Sequence, residues 1–109
     1  MTIKRRSPKL YEARAAIAKA LAHPTRLLVL DALRQKDMCV CELTELVGAD
    51  QSTVSKHLAI LKNAGLAEAR KEGVMTYYSL TCPCLDGFFE CIESVLQKNL
   101  KDFRALVGR

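Results

Sequence analysis

Between Cys39 and Gly65 the sequence CVCELTELVGADQSTVSKHLAILKNAG sets two short runs of helical periodicity on either side of Gly48-Ala49-Asp50. Leu43, Leu46 and Val47 give the first run, roughly Val40 to Val47, an apolar side. Gly48 takes positive φ without steric cost and can stop that helix. Asp50 is an N-cap residue for the second run, Gln51 to about Ala64, which Gly65 ends. Two helices around a turn of about three or four residues containing glycine form a helix-turn-helix.

The second helix, projected at about 100° per residue, places Val54, Leu58 and Leu61 together as its core side. Opposite lie Ser52, Lys56, Ala59 and Asn63, flanked by Thr53, Ser55, Ile60 and Lys62. This outer face is small, polar and positively charged, and it carries no carboxylate. Small side chains let a helix sit deep in the DNA major groove. Ser, Gln and Asn donate and accept at base edges, while Lys meets phosphate or guanine. His57 projects toward the core edge, which favours packing or hydrogen bonding over base contact.

The flanking sequence completes a single domain over residues 1–109. Residues 1–8 are a basic tail, and Leu10, Ala13, Ile17, Ala20 and Leu21 predict a helix over 9–22. Pro24 bars its continuation and opens a second helix to about Gln35. After Gly65, Leu66–Glu72 and the β-forming run Met75–Leu80 flank Gly73-Val74, which reads as a hairpin. A hairpin directly after a DNA-reading helix is a wing, with Arg70 and Lys71 near its tip in reach of flanking phosphates. The last segment, residues 84–107, predicts one long amphipathic helix: Phe88, Phe89, Ile92, Val95, Leu96, Leu100 and Phe103 follow helical spacing. Its apolar stripe exceeds what so small a core needs, so it predicts a homodimer closed by the first and last helices. A twofold dimer sets two reading helices about one DNA turn apart, on a palindromic double-stranded operator. The expected fold is therefore mainly α with a small β-hairpin, a winged helix-turn-helix.

Charge agrees with a polyanionic partner. Residues 1–36 hold nine of the 17 Lys/Arg and two of the 12 Asp/Glu, a net of +7, and the remainder carries −2. A basic end favours nucleic acid ahead of membrane. The basic N-terminus is not followed by a signal-peptide apolar run, and the longest aliphatic run, Leu27 to Leu30, is too short to span a bilayer. A cytoplasmic location follows, where thiols stay reduced. Cys39, Cys41, Cys82, Cys84 and Cys91 then imply metal or redox chemistry more than a disulfide framework. No phosphate loop or acid–base pair in a recognisable setting marks an enzyme.

In combination, Ala22-His23-Pro24-Thr25-Arg26-Leu27, Cys39-Val40-Cys41-Glu42-Leu43, Gln51-Ser52-Thr53-Val54-Ser55-Lys56-His57-Leu58, Leu61-Lys62-Asn63-Ala64-Gly65-Leu66 and Tyr77-Tyr78-Ser79-Leu80 resemble the ArsR/SmtB family of metal-responsive repressors, over roughly residues 15–82. The resemblance implies a dimeric repressor of a metal-resistance operon that leaves DNA when its inducer binds. It carries the DNA-reading residues onto Gln51, Ser52, Ser55 and Lys56.

A Cys-Val-Cys at this helix marks, within the resembling family, sensors of trivalent arsenic and antimony, or of cadmium, lead and zinc. Arsenite or antimonite is the expected inducer, with no organic cofactor. Two departures matter. Thr44 stands where the best-known arsenic sensors carry a third cysteine, and the N-terminal arm lacks the cysteines of cadmium-lead sensors. With only His23 and His57 present, a His-rich zinc site cannot be assembled.

Ideal helix geometry sets Cys39 and Cys41 about 200° apart, so both could grip one ion only if the helix start unwinds, which would make a natural switch. The helix N-terminus is expected to lower their thiol pKa. A third thiolate would come from Cys82 or Cys84. In a second arrangement Cys82, Cys84 and Cys91 form a separate site, although Cys84 and Cys91 lie about 10 Å apart in rise along one helix. A thiol-redox or persulfide-responsive repressor and a structural zinc site are the other readings.

Overall fold

A computed structural model describes residues 4–100 and 106–107. Ser7 accepts a hydrogen bond from the Leu10 N–H, and Pro8 opens α1 (Pro8–Leu21). His23 Nδ1 accepts from the Thr25 N–H at 3.1 Å and starts α2 (Pro24–Leu33). A two-residue strand, β1 (Met38–Cys39), leads into α3 (Val40–Val47). Then come α4 (Gln51–Asn63), β2 (Ala67–Glu72), β3 (Met75–Leu80) and α5 (Leu85–Asn99).

The sheet is antiparallel with strand order β1-β3-β2. Gly73, at φ 65°, turns the chain between β2 and β3, so the wing forms where the Gly73-Val74 signal put it. The first strand is an addition to the expected fold. Two residues are too few to show periodicity, and only the pairing of Met38 with Tyr78 and Cys39 with Tyr77 defines β1.

Val29 and Leu30 of α2, Leu43 of α3, and Val54, Leu58 and Leu61 of α4 are fully buried. Leu33, Leu66, Ala67 and Leu85 extend this core from α2 to the start of α5. Burying a Leu or Val side chain contributes about 1.5–3 kcal/mol, so these six side chains fix how α4 sits on α2 and α3. Little of this core reaches α5. Ile92 and Val95 lie on its surface, 45 % and 49 % exposed, and Phe88 and Phe89 are only half-buried.

The terminal helix is shorter than the 84–107 expected. It ends at Asn99, and Leu100 turns to extended backbone with φ −120° and ψ 136°. Asn disfavours a helix interior because its short amide competes for the backbone. Leu106 and Val107 are again helical, while the Phe103 position lies outside the described residues. Among the described residues no helix is long and apolar enough to cross a membrane.

Candidate nucleic-acid interface and cysteine site

Gly48 ends α3 in the left-handed conformation, φ 77°, its N–H bonded to the Thr44 carbonyl. Asp50 then caps α4, its carboxylate accepting from the Thr53 N–H at 2.7 Å and the Ser52 hydroxyl at 3.0 Å. These bonds, the Thr53 N–H first, hold the Asp50 carboxyl below its usual range. With Val54, Leu58 and Leu61 buried, the opposite face is turned outward: Gln51, Ser52, Thr53, Ser55, Lys56 and Lys62 are all exposed. The face projected from sequence is the face the fold presents.

His57 lies at the edge of that face and not on it. Arg26 Nη1 donates to His57 Nδ1 at 3.1 Å, and the His23 and His57 rings meet at 4.4 Å. Arg26 also donates to the Ala20 and Lys19 carbonyls, tying α1, α2 and α4 together. Burial, then His23 and Arg26, push the His57 pKa down. Arg26 stands out in the sequence only as part of a motif, because its partners lie in two separate segments, α1 and α4.

At the wing, Arg70 is held differently from the expectation of a free phosphate contact. Its guanidinium pairs with Glu72 at 2.6 Å and Asp37 at 2.7 Å and lies over the Tyr77 ring. Lys71 is exposed and has no ion-pair partner among the described residues. The Asp37 contact joins the wing to the segment before β1, a long-range pairing invisible in the local sequence.

The cysteines divide. Cys39 is not inside α3 but caps it, with extended backbone, φ −77° and ψ 163°. Strand pairing with Tyr77 holds that backbone on one side. A capping box holds it on the other: the Cys39 N–H donates to Glu42 Oε1 at 3.0 Å, and the Glu42 N–H donates to Cys39 Sγ at 3.4 Å. The helical angle therefore does not apply, and Cys39 Sγ and Cys41 Sγ approach to 2.7 Å with no unwinding. The expected distortion switch is overturned by this backbone geometry.

The expected fall in thiol pKa is also corrected. Cys41 is pushed up, first by its hydrogen bond with Cys39 and then by desolvation, against the weaker pull of the helix-start N–H groups. Both cysteines line a cavity of about 180 Å³, together with Val40, Gln51, Val74, Met75 and Thr76. Gln51 is the first residue of α4, so this cavity touches α4 directly.

The remaining cysteines do not join them. Cys39 stands opposite Tyr77 in mid-β3, whereas Cys82 lies five residues further on, about 16 Å of extended chain. Cys82 packs against the core, and burial pushes its pKa up. Cys84 and Cys91 are exposed at the start and in the body of α5. Among the described residues no three His, Cys, Asp or Glu side chains come together as a metal site. Neither a three-thiolate arrangement of Cys39 and Cys41 with Cys82 or Cys84, nor one of Cys82, Cys84 and Cys91, is assembled within one chain.

A capped helix with a basic, carboxylate-free outer face, set by α3 and flanked by a hairpin, defines a winged helix-turn-helix DNA-binding domain. Residues 23–69 match the model of the arsR family of bacterial regulatory proteins. An uncharacterised HTH-type transcriptional regulator of Methanocaldococcus jannaschii is 46% identical over 69 residues, 62% of this chain and 78% of that protein. The uncharacterised HTH-type regulator Rv0081 of Mycobacterium tuberculosis is 35% identical over 97 residues, 88% of this chain and 85% of that one. Its crystal structure superposes with a TM-score of 0.77 over 89% of this chain and 97% of that chain, at 35% identity.

The homodimeric winged helix-turn-helix DNA-binding domain of Mb0332 from Mycobacterium bovis matches at TM-score 0.76 and 32% identity, covering 93% of this chain and 94% of that one. A cadmium resistance regulatory protein, a CadC homolog of Staphylococcus aureus, is 40% identical over 67 residues, 61% of this chain and 55% of that protein. The chain belongs to the ArsR family of DNA-binding transcriptional regulators.

Proposed function

We propose that this chain is a repressor that acts as a homodimer, reads a palindromic operator through α4, and releases it when a soft thiophilic ion, trivalent arsenic or antimony, is held by Cys39 and Cys41. The observation that carries this reading is the 2.7 Å approach of the two sulfurs beside Gln51, the first residue of the reading helix. Thiolates select soft ions, and two that already converge lose little freedom on closing around one. Gln51, Ser52, Thr53, Ser55 and Lys56 supply base-edge and phosphate contacts, with Lys62 and Lys71 on flanking phosphates. Arg70, held by Glu72 and Asp37, shapes the wing more than it reaches outward.

The dimer reading rests on the half-open apolar face of α1 and α5. Ala18, Leu21, Leu27, Phe88, Phe89 and Ile92 line a cavity of about 220 Å³ there, which a second copy would cover. A dimer also allows a third thiolate to come from the partner. The cytosol, where thiols stay reduced, is the compartment this chemistry requires.

The same sulfur contact favours a second reading, reversible oxidation. A peroxide or polysulfide would take two electrons and two protons from Cys39 and Cys41 as an Sγ–Sγ bond formed.

The test is DNA release followed by fluorescence anisotropy under reductant, with arsenite titrated against wild type, Cys39→Ser/Cys41→Ser and Cys82→Ser/Cys84→Ser. Release of wild type and of the second variant, with the first remaining bound, is the expected result. If only the second variant stays bound, the inducer site is C-terminal. If arsenite does nothing while oxidant releases wild type, the protein is a redox repressor.

A further inference from the structure

We propose that Met75, on the wing strand β3, is a third sulfur donor to the Cys39–Cys41 site, and that the three sulfurs together take a monovalent soft cation of the Cu(I) class. The inference rests on the reading that Cys39 and Cys41 hold a soft ion, and adds to it a donor and a further ion class.

Register places Met75 there. Cys39 stands directly opposite Tyr77 across the β1–β3 ladder. Side chains directly opposite share a face, and so do residues two apart on one strand, so Met75 lies on the Cys39 face. Such diagonal neighbours are about 7–8 Å apart, a span that a Met side chain with three rotatable bonds can close. If the ladder continued past Cys39, the same register would set Cys41 opposite Met75. The chain instead turns into α3 at Val40, and Cys41 Sγ comes back to 2.7 Å from Cys39 Sγ. All three sulfur-bearing residues line the same cavity of about 180 Å³.

The rest of the lining decides the ligand class. Val40, Val74, Thr76 and Gln51 provide apolar surface, a hydroxyl and an amide, and among the described residues no carboxylate or cation lines the cavity. Calcium and magnesium require oxygen donors in number, which this wall lacks. A thioether is a neutral donor with no proton to lose. It suits Cu(I), for which Cys and Met sulfurs are selective ligands, more than an ion that needs three anionic thiolates. On binding, Cys39 and Cys41 each release one proton to solvent and Met75 releases none. Two thiolates around one monovalent cation leave the site at a net charge of −1. Ion capture would also fasten β3 of the wing to the start of α3, next to the first residue of α4.

The test uses full-length reduced protein, with Cu(I) supplied through a chromogenic Cu(I) chelator as competitor and arsenite titrated separately. Met75→Leu is expected to weaken Cu(I) binding about tenfold or more while arsenite binding changes less than about threefold. Leu conserves the volume, and an unchanged DNA affinity without ion verifies the fold. Copper-edge X-ray absorption is expected to report three sulfur neighbours in wild type and two in Met75→Leu. Selenomethionine protein gives an independent readout, a copper–selenium scattering path that Met75→Leu removes.

Wild-type Cu(I) affinity in Met75→Leu together with no selenium path in the labelled protein would overturn the assignment of Met75. Cu(I) and arsenite binding that both survive Cys39→Ser/Cys41→Ser would instead overturn the underlying two-cysteine reading.

Discussion

Two Cys-x-Cys segments stand at helix starts in this molecule, Cys39-Val40-Cys41 before α3 and Cys82-Pro83-Cys84 before α5. In the first, Cys39 has extended backbone fixed by the strand partner Tyr77 and by the Glu42 capping box, and its sulfur meets that of Cys41. In the second, Cys84 has helical backbone, φ −68° and ψ −4°, and makes no side-chain cap. Cys82 packs against the core while Cys84 faces solvent. The spacing is identical, so spacing alone does not bring two sulfurs together. What brings them together is the conformation of the first cysteine and the bonds that hold it there.

The largest effect that could break this comparison is in dithiol capture. A monosubstituted aryl arsenical bridges two close thiols, and the second bond forms at high effective concentration, a gain of about 10²-fold or more. Wild type and Cys82→Ser/Cys84→Ser are expected to bind one equivalent tightly, and Cys39→Ser to lose about that factor, measured by mass spectrometry and competition with a free dithiol. Equal loss in both variants would mean that the two segments act alike in solution.

A second effect separates sensing from reading. Lys56→Ala should weaken operator binding uniformly across sequences and lower the salt slope by about 1, while arsenical capture is untouched. Cys39→Ser/Cys41→Ser should show the converse, with ion-free DNA affinity within about threefold of wild type, a change below about 0.7 kcal/mol. Anisotropy at several salt concentrations distinguishes the two.

The pH dependence follows from the sign of the Cys41 shift. Its pKa is raised, mainly by the bond with Cys39, so the Cys41 thiol is protonated at neutral pH. A bare cation such as Cu(I) then displaces the Cys41 proton, and its apparent affinity should rise with pH by about one log unit per pH unit for that proton. Arsenous acid, As(OH)3, instead carries hydroxides that leave with the thiol protons as water, and it should bind with little pH dependence. A flat Cu(I) profile between pH 6.5 and 8.5 would show that Cys41 is already ionised and that the bond between the sulfurs is lost in solution.

The helix-turn-helix was legible because its signals are local. Gly48, Asp50 and the Val54, Leu58 and Leu61 stripe each act within a few residues, and the exposed face of α4 follows by subtraction. His57 could be assigned to the core edge for the same reason, though its partner Arg26 lies 31 residues away. For the Cys39–Cys41 pair the geometry drawn from helix period does not hold. The separation of about 200° applies the helical angle to Cys39, and only pairing with β3, 38 residues on, shows that its backbone is extended. Arg70 follows the same rule, with Asp37 33 residues away drawing it into the wing's own support. Errors gathered where strand register, and not helix period, decides the neighbours.

Glu42 gives the smallest and most discriminating test, because it holds the Cys39 backbone without facing the cavity. The N–H of Cys39 donates to Glu42 Oε1, and this bond, first among its causes, keeps the Glu42 carboxyl below the usual range. That contribution is present above the ordinary carboxylate pKa and fades as pH falls through the lowered value. Glu42→Ala removes the acceptor, while Glu42→Gln keeps an amide oxygen in its place. Soft-ion affinity at neutral pH should fall about threefold to tenfold in Glu42→Ala and less in Glu42→Gln, with both sulfurs still present. Calorimetric titration of the two variants at pH 7 measures the difference. If both bind as wild type, pairing with Tyr77 alone fixes Cys39 and the capping box is dispensable to the chelate. If Glu42→Ala loses as much as Cys39→Ser, backbone conformation and sulfur count matter equally.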